Sequence, residues 1–279
     1  MEGMPSWTAL AVARRRALHQ TLDHPIVFED PLAVRILVDT EGLENRPGSV
    51  RSPSLRAFVA ARSRFAEDQV AQAFWCGVRQ YVIVGAGLDT FAYRNPFAPE
   101  LRVFEIDHPA SQQWKRAQVT RAGIEIPDSV SFLPIDFERQ TLRGELQSAS
   151  GFDLHRPAFF AMLGVTPYLS QNALLAILSY VASLPPTSGI AFDYTVALDK
   201  LNIVERLNVE RLAAHVARLR EPFRLFLDPG KLGVTLRGMG FSSVEDLDAS
   251  AINSRYFHHR SDRLRVGRAG RLVCARVTP

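Results

Sequence analysis

A hydrophobic run that empties into a glycine turn is the feature that most limits how this chain can fold. In QYVIVGAGLDTFAYR, residues 80–94, the β-rich stretch Tyr81-Val82-Ile83-Val84 leads straight into Gly85-Ala86-Gly87. A strand followed by Gly-x-Gly lets the backbone pass close to a ligand, and the helix expected after such a turn offers unpaired N–H groups. In dinucleotide-binding turns a third glycine allows tight packing beside a pyrophosphate. Here Thr90 stands in that place, which weakens a nicotinamide or flavin reading, and the turn has no lysine for a triphosphate. Alone, the turn is a weak signal, because strands often turn on glycine for steric reasons only.

The rest of the chain alternates β-rich runs with helical patterns, the signature of a largely parallel sheet covered by helices. Strands are expected near 81–84, 101–106, 130–135, 157–163, 188–194, 241–247 and 271–277. No obvious helix separates the last two, so the final strand is expected to enter antiparallel, as a hairpin partner. Ser170 can cap a helix that stops at Pro185-Pro186, and Asp228-Pro229 can start another. The amphipathic stretch 198–220 reads as a helical insert before the sixth strand, and residues 42–53, rich in Gly, Pro, Ser and Arg, as a loop. The division that follows is a single domain over 1–279, with an N-terminal helical cap at 1–79 and a core at 80–279. The cap, including HPIVFEDPLAVRIL at 24–37, and the insert are expected to wall a substrate pocket.

Acidic residues follow the glycine turn in register. The second strand, in LRVFEIDHP, ends in Asp107, with Glu105 two residues earlier. A carboxylate at this tip can accept hydrogen bonds from both ribose hydroxyls of an adenosine. The third strand ends in Asp136, which can accept from an adenine amine, beside Phe137, which can pack near the ring. A glycine turn with acids at both tips favours S-adenosylmethionine over a nicotinamide cofactor. In the helical stretch 52–75, Arg62 falls in the middle of the apolar face shared by Leu55, Val59, Ala66, Val70 and Ala73, while Arg64 points away. A buried guanidinium needs an anion. That anion is either a protein carboxylate or the α-carboxylate of the cofactor's methionine part.

With these residues in view, the chain resembles the leucine carboxyl methyltransferase family. The resemblance rests on ARSRFAED, VIVGAGLDTFAYR, VFEIDHP, LPIDFE and FFAMLGVTPYLS in that order, with EPFRLFLDPGKL nearer the C-terminus, and so spans nearly the whole chain. It implies a Rossmann-like class I methyltransferase fold: an α/β, mostly parallel seven-stranded sheet with an antiparallel last strand. It also implies that Arg62 holds the cofactor carboxylate, that Gly85, Ala86 and Gly87 shape the cofactor turn, and that Asp107 holds the ribose. Asp136 and Phe137 would flank the adenine. Relatives often carry a glutamate after the fourth strand where this chain has Leu163; there a backbone carbonyl around Met162 or Leu163 would serve the cofactor's amine instead. The implied reaction is O-methylation, with a small-molecule or polyketide-like carboxylate as acceptor. An acceptor of that kind is already ionised near neutral pH and needs no strong base. A hydroxyl acceptor would need help from a group such as Tyr168, Tyr194, His108 or His155.

Composition narrows the setting. No apolar run approaches the ~20 residues of a membrane span, and the N-terminal charges follow the apolar piece, the reverse of a secretory signal. Two cysteines, Cys76 and Cys274, exclude a disulfide framework, so a reduced cytoplasmic location is expected. The histidines and acids show no metal-ligand spacing. The formal charge of +4 is too modest to argue for nucleic acid. The stretch 255–271, with six arginines beside Tyr256 and Phe257, keeps an RNA-binding or tRNA-modifying enzyme as an alternative. A non-catalytic cofactor-binding module is the other.

Overall fold

The computed structural model describes residues 6–38, 52–137 and 139–278. Strands β1 (Gln80–Val84), β2 (Arg102–Asp107), β3 (Val130–Pro134), β4 (Phe159–Met162), β5 (Gly189–Thr195), β6 (Ser243–Leu247) and β7 (Gly270–Arg276) form one sheet in the order β3-β2-β1-β4-β5-β7-β6. Neighbours from β3 to β5 pair in parallel, and β7 lies antiparallel between β5 and β6. The helices are α1 (Trp7–Leu22), α2 (Pro53–Trp75), α3 (Pro109–Arg121), α4 (Leu142–Ser148), α5 (Gln171–Ala182), α6 (Ile203–Arg218), α7 (Pro229–Gly238) and α8 (Ala249–Tyr256). Several ends are set as the sequence predicts: Ser52, Ser170 and Asp228 each accept from a backbone N–H of the first turn. The insert is α6, started by a capping box in which Asn202 and Glu205 satisfy each other's N–H groups.

Strand alternation divides the interior. Tyr81 and Ile83 of β1 face a core with α2 and α8, while Val82 and Val84 face a second core with α4, α5 and α7. Buried on both faces, the central strands read as continuous apolar runs. Helix α2 packs across β4, β5 and β7 and against α1. A third, smaller core joins Leu10 and Ala13 of α1 to Leu32, Ile36, Leu88 and Val119.

Three expectations change. No α-helix follows the glycine turn: a single 3-10 turn, Phe91–Tyr93, lies between β1 and β2, the turn being tied instead through Thr90 to the cap. The link from β6 to β7 is not a hairpin: α8 lies between them, started by Asp248, whose carboxylate accepts from Ala251 N. Eight residues are too few for the apolar period to declare a helix. Residues 24–37, expected to be helical, form turns that end in one 3-10 turn at Arg35–Leu37. Pro25 and Pro31 lack the N–H groups a helix needs there, and Val27, Phe28, Ala33 and Ile36 are buried all the same. Most of the loop expected at 42–53 lies outside the described residues.

Side chains with buried charge hold the cap to the core. Asp30 meets Arg16 Nε at 2.7 Å and Arg94 Nε at 3.4 Å, and accepts from Thr90 Oγ1 at 2.7 Å. Thr90, standing where a dinucleotide turn has glycine, thus ties the turn to the cap. Nearby, Arg56 grips Asp23 through two bonds of 2.7 Å. His19 Nε2 accepts from Val27 N and Phe28 N, so the ring proton sits on Nδ1, which donates to Asp23 at 2.8 Å. Burial pulls the His19 pKa down, against the pull of Asp23.

Candidate functional site

The strand order reverses between β1 and β4, and open α/β sheets bind ligands at the carboxyl ends of strands at such a switch point. A cavity of about 1140 Å³ opens there. Sites for one drug-sized ligand occupy ~300–1,000 Å³, so this space is larger than one such ligand needs. Strand tips and the turn after β1 form one half. The other half is formed by α1, the end of α6, and the residues around Tyr168 and Phe223.

In the first half, Gly85 and Ala86 both donate to the Ile106 carbonyl, at 2.8 and 2.9 Å, so the turn closes over the end of β2. Gly85 and Gly87 have φ of +68° and +45°, the left-handed region that glycine enters freely. A side chain at Gly85 would also strike Val165, so a protein contact adds to the demand for glycine. Asp107 at the tip of β2 accepts from Gly87 N at 2.5 Å through Oδ2 and from His108 N at 2.7 Å through Oδ1. Each carboxylate oxygen carries two lone pairs, so each keeps one for a ligand. Burial raises the Asp107 pKa despite these two donors. Asp136 and Phe137 lie just beyond β3 and line the same cavity, as do Ala86 and Leu163. Gly87 serves it through Asp107.

Glu105, the other acid of the second strand, is fully buried and turned away. It accepts from Lys115 Nζ at 2.7 Å and from Tyr93 Oη at 3.2 Å.

Arg62 lines the cavity and is 7% exposed. Its Nη1 donates to Asp193 Oδ2 at 3.2 Å, while Asp193 Oδ1 accepts from Gly164 N at 2.5 Å. The anion beside Arg62 is therefore a protein carboxylate from β5, bonded through a single guanidinium nitrogen. Gly164 has φ +71°, and a Cβ there would lie 2.7 Å from Arg62 Nη2. Only glycine lets the guanidinium lie so close. Asp193 and Gly164 escaped the sequence reading. An aspartate within a buried strand run, followed after folding by an arginine from a distant helix, is the signal that could have found the pair. Arg64 is exposed and pairs with Asp68 on its own helix.

The second half contains Arg15, missed from the sequence and only 4% exposed. Its Nη1 donates to the Ala11 carbonyl at 3.2 Å. Burial, and then the cation of Arg62, bring its pKa down to about 10, while Tyr168 opposes the shift. Tyr168 meets the Phe223 ring edge-on at 5.4 Å. Burial raises the Tyr168 pKa, so the phenol keeps its proton at neutral pH. Beyond them, Glu221 follows α6 and takes the N–H groups of Trp7 at 3.1 Å and Thr8 at 3.3 Å, and both hydroxyls of Ser6 and Thr8. It thus joins the end of α6 to the start of α1, at the cavity's edge.

The groups considered for a hydroxyl acceptor separate. Tyr168 and His108 line the cavity; Tyr194 and His155 do not. Tyr194 donates to Asp246 at 2.9 Å, and His108 spends Nδ1 on Ala110 N at the start of α3. In the arginine-rich stretch, Arg255, Arg260, Arg268 and Arg271 pair with Glu245, Asp262, Glu205 and Asp246. Four of its six cations thus answer nearby carboxylates. Among the described residues no helix is long and apolar enough to cross a membrane, and no group of three or more His, Cys, Asp or Glu could hold a metal ion.

Known proteins place this geometry. The family profile described as leucine carboxyl methyltransferase matches residues 9–182. A Bacillus subtilis protein named "Putative S-adenosyl-L-methionine-dependent methyltransferase YktD" is 31% identical, over 93% of this chain and 93% of its own. Among solved structures, a DUF574 family protein of Streptomyces avermitilis shares 17% identity with a TM-score of 0.54, over 96% of this chain and 97% of that one. The S-adenosylmethionine-dependent methyltransferase SibL, in its apo form, shares 17% identity with a TM-score of 0.51, over 85% of this chain and 61% of that one. The two structural likenesses establish the fold.

Proposed function

The chain belongs to the leucine carboxyl methyltransferase family of S-adenosylmethionine-dependent enzymes, and from that premise we propose that it esterifies a carboxylate of a small-molecule acceptor. When bound, S-adenosylmethionine supplies an electrophilic methyl group on a sulfonium sulfur. The donor set fits it. Asp107 has one lone pair per oxygen to offer ribose hydroxyls, and Asp136 and Phe137 flank the adenine. Arg62 offers its remaining guanidinium edge to the amino-acid carboxylate, in a charge-assisted pair. Asp193, held by Gly164 N, keeps that arginine in place.

One observation favours a carboxylate over a hydroxyl: Tyr168 and His108, the two groups considered as helpers of a hydroxyl that do line the cavity, are both held from acting as bases. Tyr168 holds its proton by burial, and His108 Nδ1 is occupied as a helix cap. A hydroxyl must lose a proton to attack, whereas a carboxylate arrives ionised. What the protein then supplies is alignment and the exclusion of water. The walls from α1 and α6 serve this purpose. A cationic sulfonium and an anionic carboxylate become two neutral products, so a dry pocket favours the transfer.

The test is a screen of carboxylic acids and matched alcohols with methyl-labelled cofactor. Label that is released by mild alkali, as from an ester, is the expected result. Transfer to alcohols alone, stable to alkali, would reject the carboxylate.

A further inference from the structure

We propose that Asp89 binds the ammonium of the cofactor's methionine part, so that Asp89 and Arg62 receive the two ends of one zwitterion. This rests on Arg62 taking the methionine carboxylate, and it holds for a carboxylate or a hydroxyl acceptor alike. The turn after β1 places the residue. Asp89 N donates to the Ala86 carbonyl at 2.8 Å, which folds the chain back after Gly87 and sets Asp89 at the cavity wall. Its Oδ1 accepts from Phe91 N at 2.8 Å. Each carboxylate oxygen has two lone pairs, so one pair on Oδ1 and both on Oδ2 remain for a ligand.

Charge around Asp89 is unbalanced. Asp30 is answered by Arg16 and Arg94, and Glu67 by Arg94, which binds both of its oxygens. Two cations thus meet two acids. Among the described residues no cation pairs with Asp89. Its charge is felt by its neighbours. Burial raises the Glu67 pKa to about 7 against the pull of Arg94, and Asp89 adds to the rise. The Tyr81 phenol is raised first by burial and next by Asp89. A carboxylate whose field reaches buried groups gains from a cation placed beside it. The α-amino group of methionine is such a cation at neutral pH.

The other acids of the cavity are committed or stand elsewhere. Glu67 is held by Arg94, and Asp193 by Arg62 and Gly164 N. Glu221 takes the start of α1. Asp107 ends β2 and Asp136 follows β3, on the side of β1 away from β4. Asp89 follows β1, and Arg62 lies against Gly164, which follows β4; these two strands are paired neighbours at the switch point. The carboxylate and ammonium of an amino acid branch from one carbon, so adjacent supports suit them. Leu163, after β4 on the same rim, brings no charge. A backbone carbonyl near it can take one N–H, but an ammonium has three, and Asp89 offers the anionic acceptor.

The experiment is calorimetric titration of the full chain with three ligands. These are S-adenosylhomocysteine, its deaminated analogue, which lacks the ammonium, and its decarboxylated analogue, which lacks the carboxylate. Asp89→Asn keeps an oxygen to accept from Phe91 N, so it removes the charge and leaves the turn. The variant should bind S-adenosylhomocysteine about 30-fold more weakly than wild type, the scale of one hydrogen bond between charged groups. Its affinity for the deaminated analogue should match wild type within about twofold, which also certifies the fold. Arg62→Lys should show the converse pattern, losing affinity for S-adenosylhomocysteine and the deaminated analogue but keeping it for the decarboxylated one. If Asp89→Asn weakens S-adenosylhomocysteine and the deaminated analogue equally, Asp89 only shapes the turn and the proposal falls. Unchanged affinity of that variant for S-adenosylhomocysteine overturns it too. If Arg62→Lys weakens the decarboxylated analogue as much as the others, Arg62 is not at the carboxylate, and the paired arrangement falls with it. None of these results depends on whether acids or alcohols accept the methyl group, so failure here and failure of the carboxylate reading are told apart.

Discussion

The two halves of the cavity are built by different means. One half of the cavity is made at the carboxyl side of the sheet: Asp107 ends β2, Asp193 lies within β5, and Asp136 and Gly164 follow β3 and β4 by two residues, so the ladder fixes or closely precedes each of them. The other half is made of helix faces, from α1 and the end of α6, held together through side chains such as Glu221. A strand tip is set by pairing to its neighbours, whereas a helix face can shift as a body with small loss of contact. On the proposed function, the contrast would anchor cofactor recognition in the sheet and leave acceptor recognition to helix faces.

The largest effect should come from breaking the support beneath the first half. Lys115→Ala leaves Glu105 buried without its cation, and removing one partner of such a pair costs ~3–5 kcal/mol. Thermal or denaturant unfolding would show it; a loss below about 1 kcal/mol would mean that the pair contributes no stability. Next, Asp107→Ala should weaken S-adenosylmethionine binding about 100-fold, because two charge-assisted hydrogen bonds are lost, while the protein stays folded. Calorimetric titration decides this, and unchanged affinity would remove Asp107 from the site. The same titration on wild type should show affinity falling on acidification before the ordinary aspartate range is reached, since burial raises the Asp107 pKa and its charged form is the acceptor.

Arg62→Ala should weaken binding too, but it also strips Asp193 of its cation, so stability is expected to drop with it. Arg62→Lys is the cleaner probe: it keeps the charge and should lose affinity while unfolding near the wild-type midpoint. On the acceptor side, Glu221→Gln should cost about 1 kcal/mol, the scale of a helix cap, and raise acceptor KM with cofactor Kd unchanged. Equal changes in both constants would erase the distinction between the halves.

The smallest effect is a pH dependence. The His19 pKa is lowered in the folded protein, so the unfolded chain binds the extra proton first. This contribution is complete above the ordinary histidine range and is lost as pH falls below about 6.5. His19→Asn should flatten that part of the stability–pH curve. A curve that keeps its slope would assign the dependence to another group.

Much of the cofactor half was readable because a parallel sheet repeats a rule. An apolar run ends, the next residue faces the switch-point crevice, and so Gly85, Asp107 and Asp136 could be named from order alone. Arg62 was readable as an anomaly, a cation on an apolar face, though its partner was not. Asp193 is separated from it by 131 residues of chain, and only α2 lying across β5 brings them together. Helix α8 was missed because eight residues cannot display a period, and 24–37 was overread because buried apolar residues there imitate one.

By itself the sequence determined which residues would be strands, where each strand would end, and hence the kind of ligand the sheet would meet, because side-chain alternation and chain order are local properties. The tertiary structure alone decided that Arg15 shares a cavity with Arg62, that Thr90 joins Asp30, and that Glu221 closes onto α1. Those are meetings between helices and loops, and their relative placement is set by packing of whole faces, which no single stretch of chain encodes.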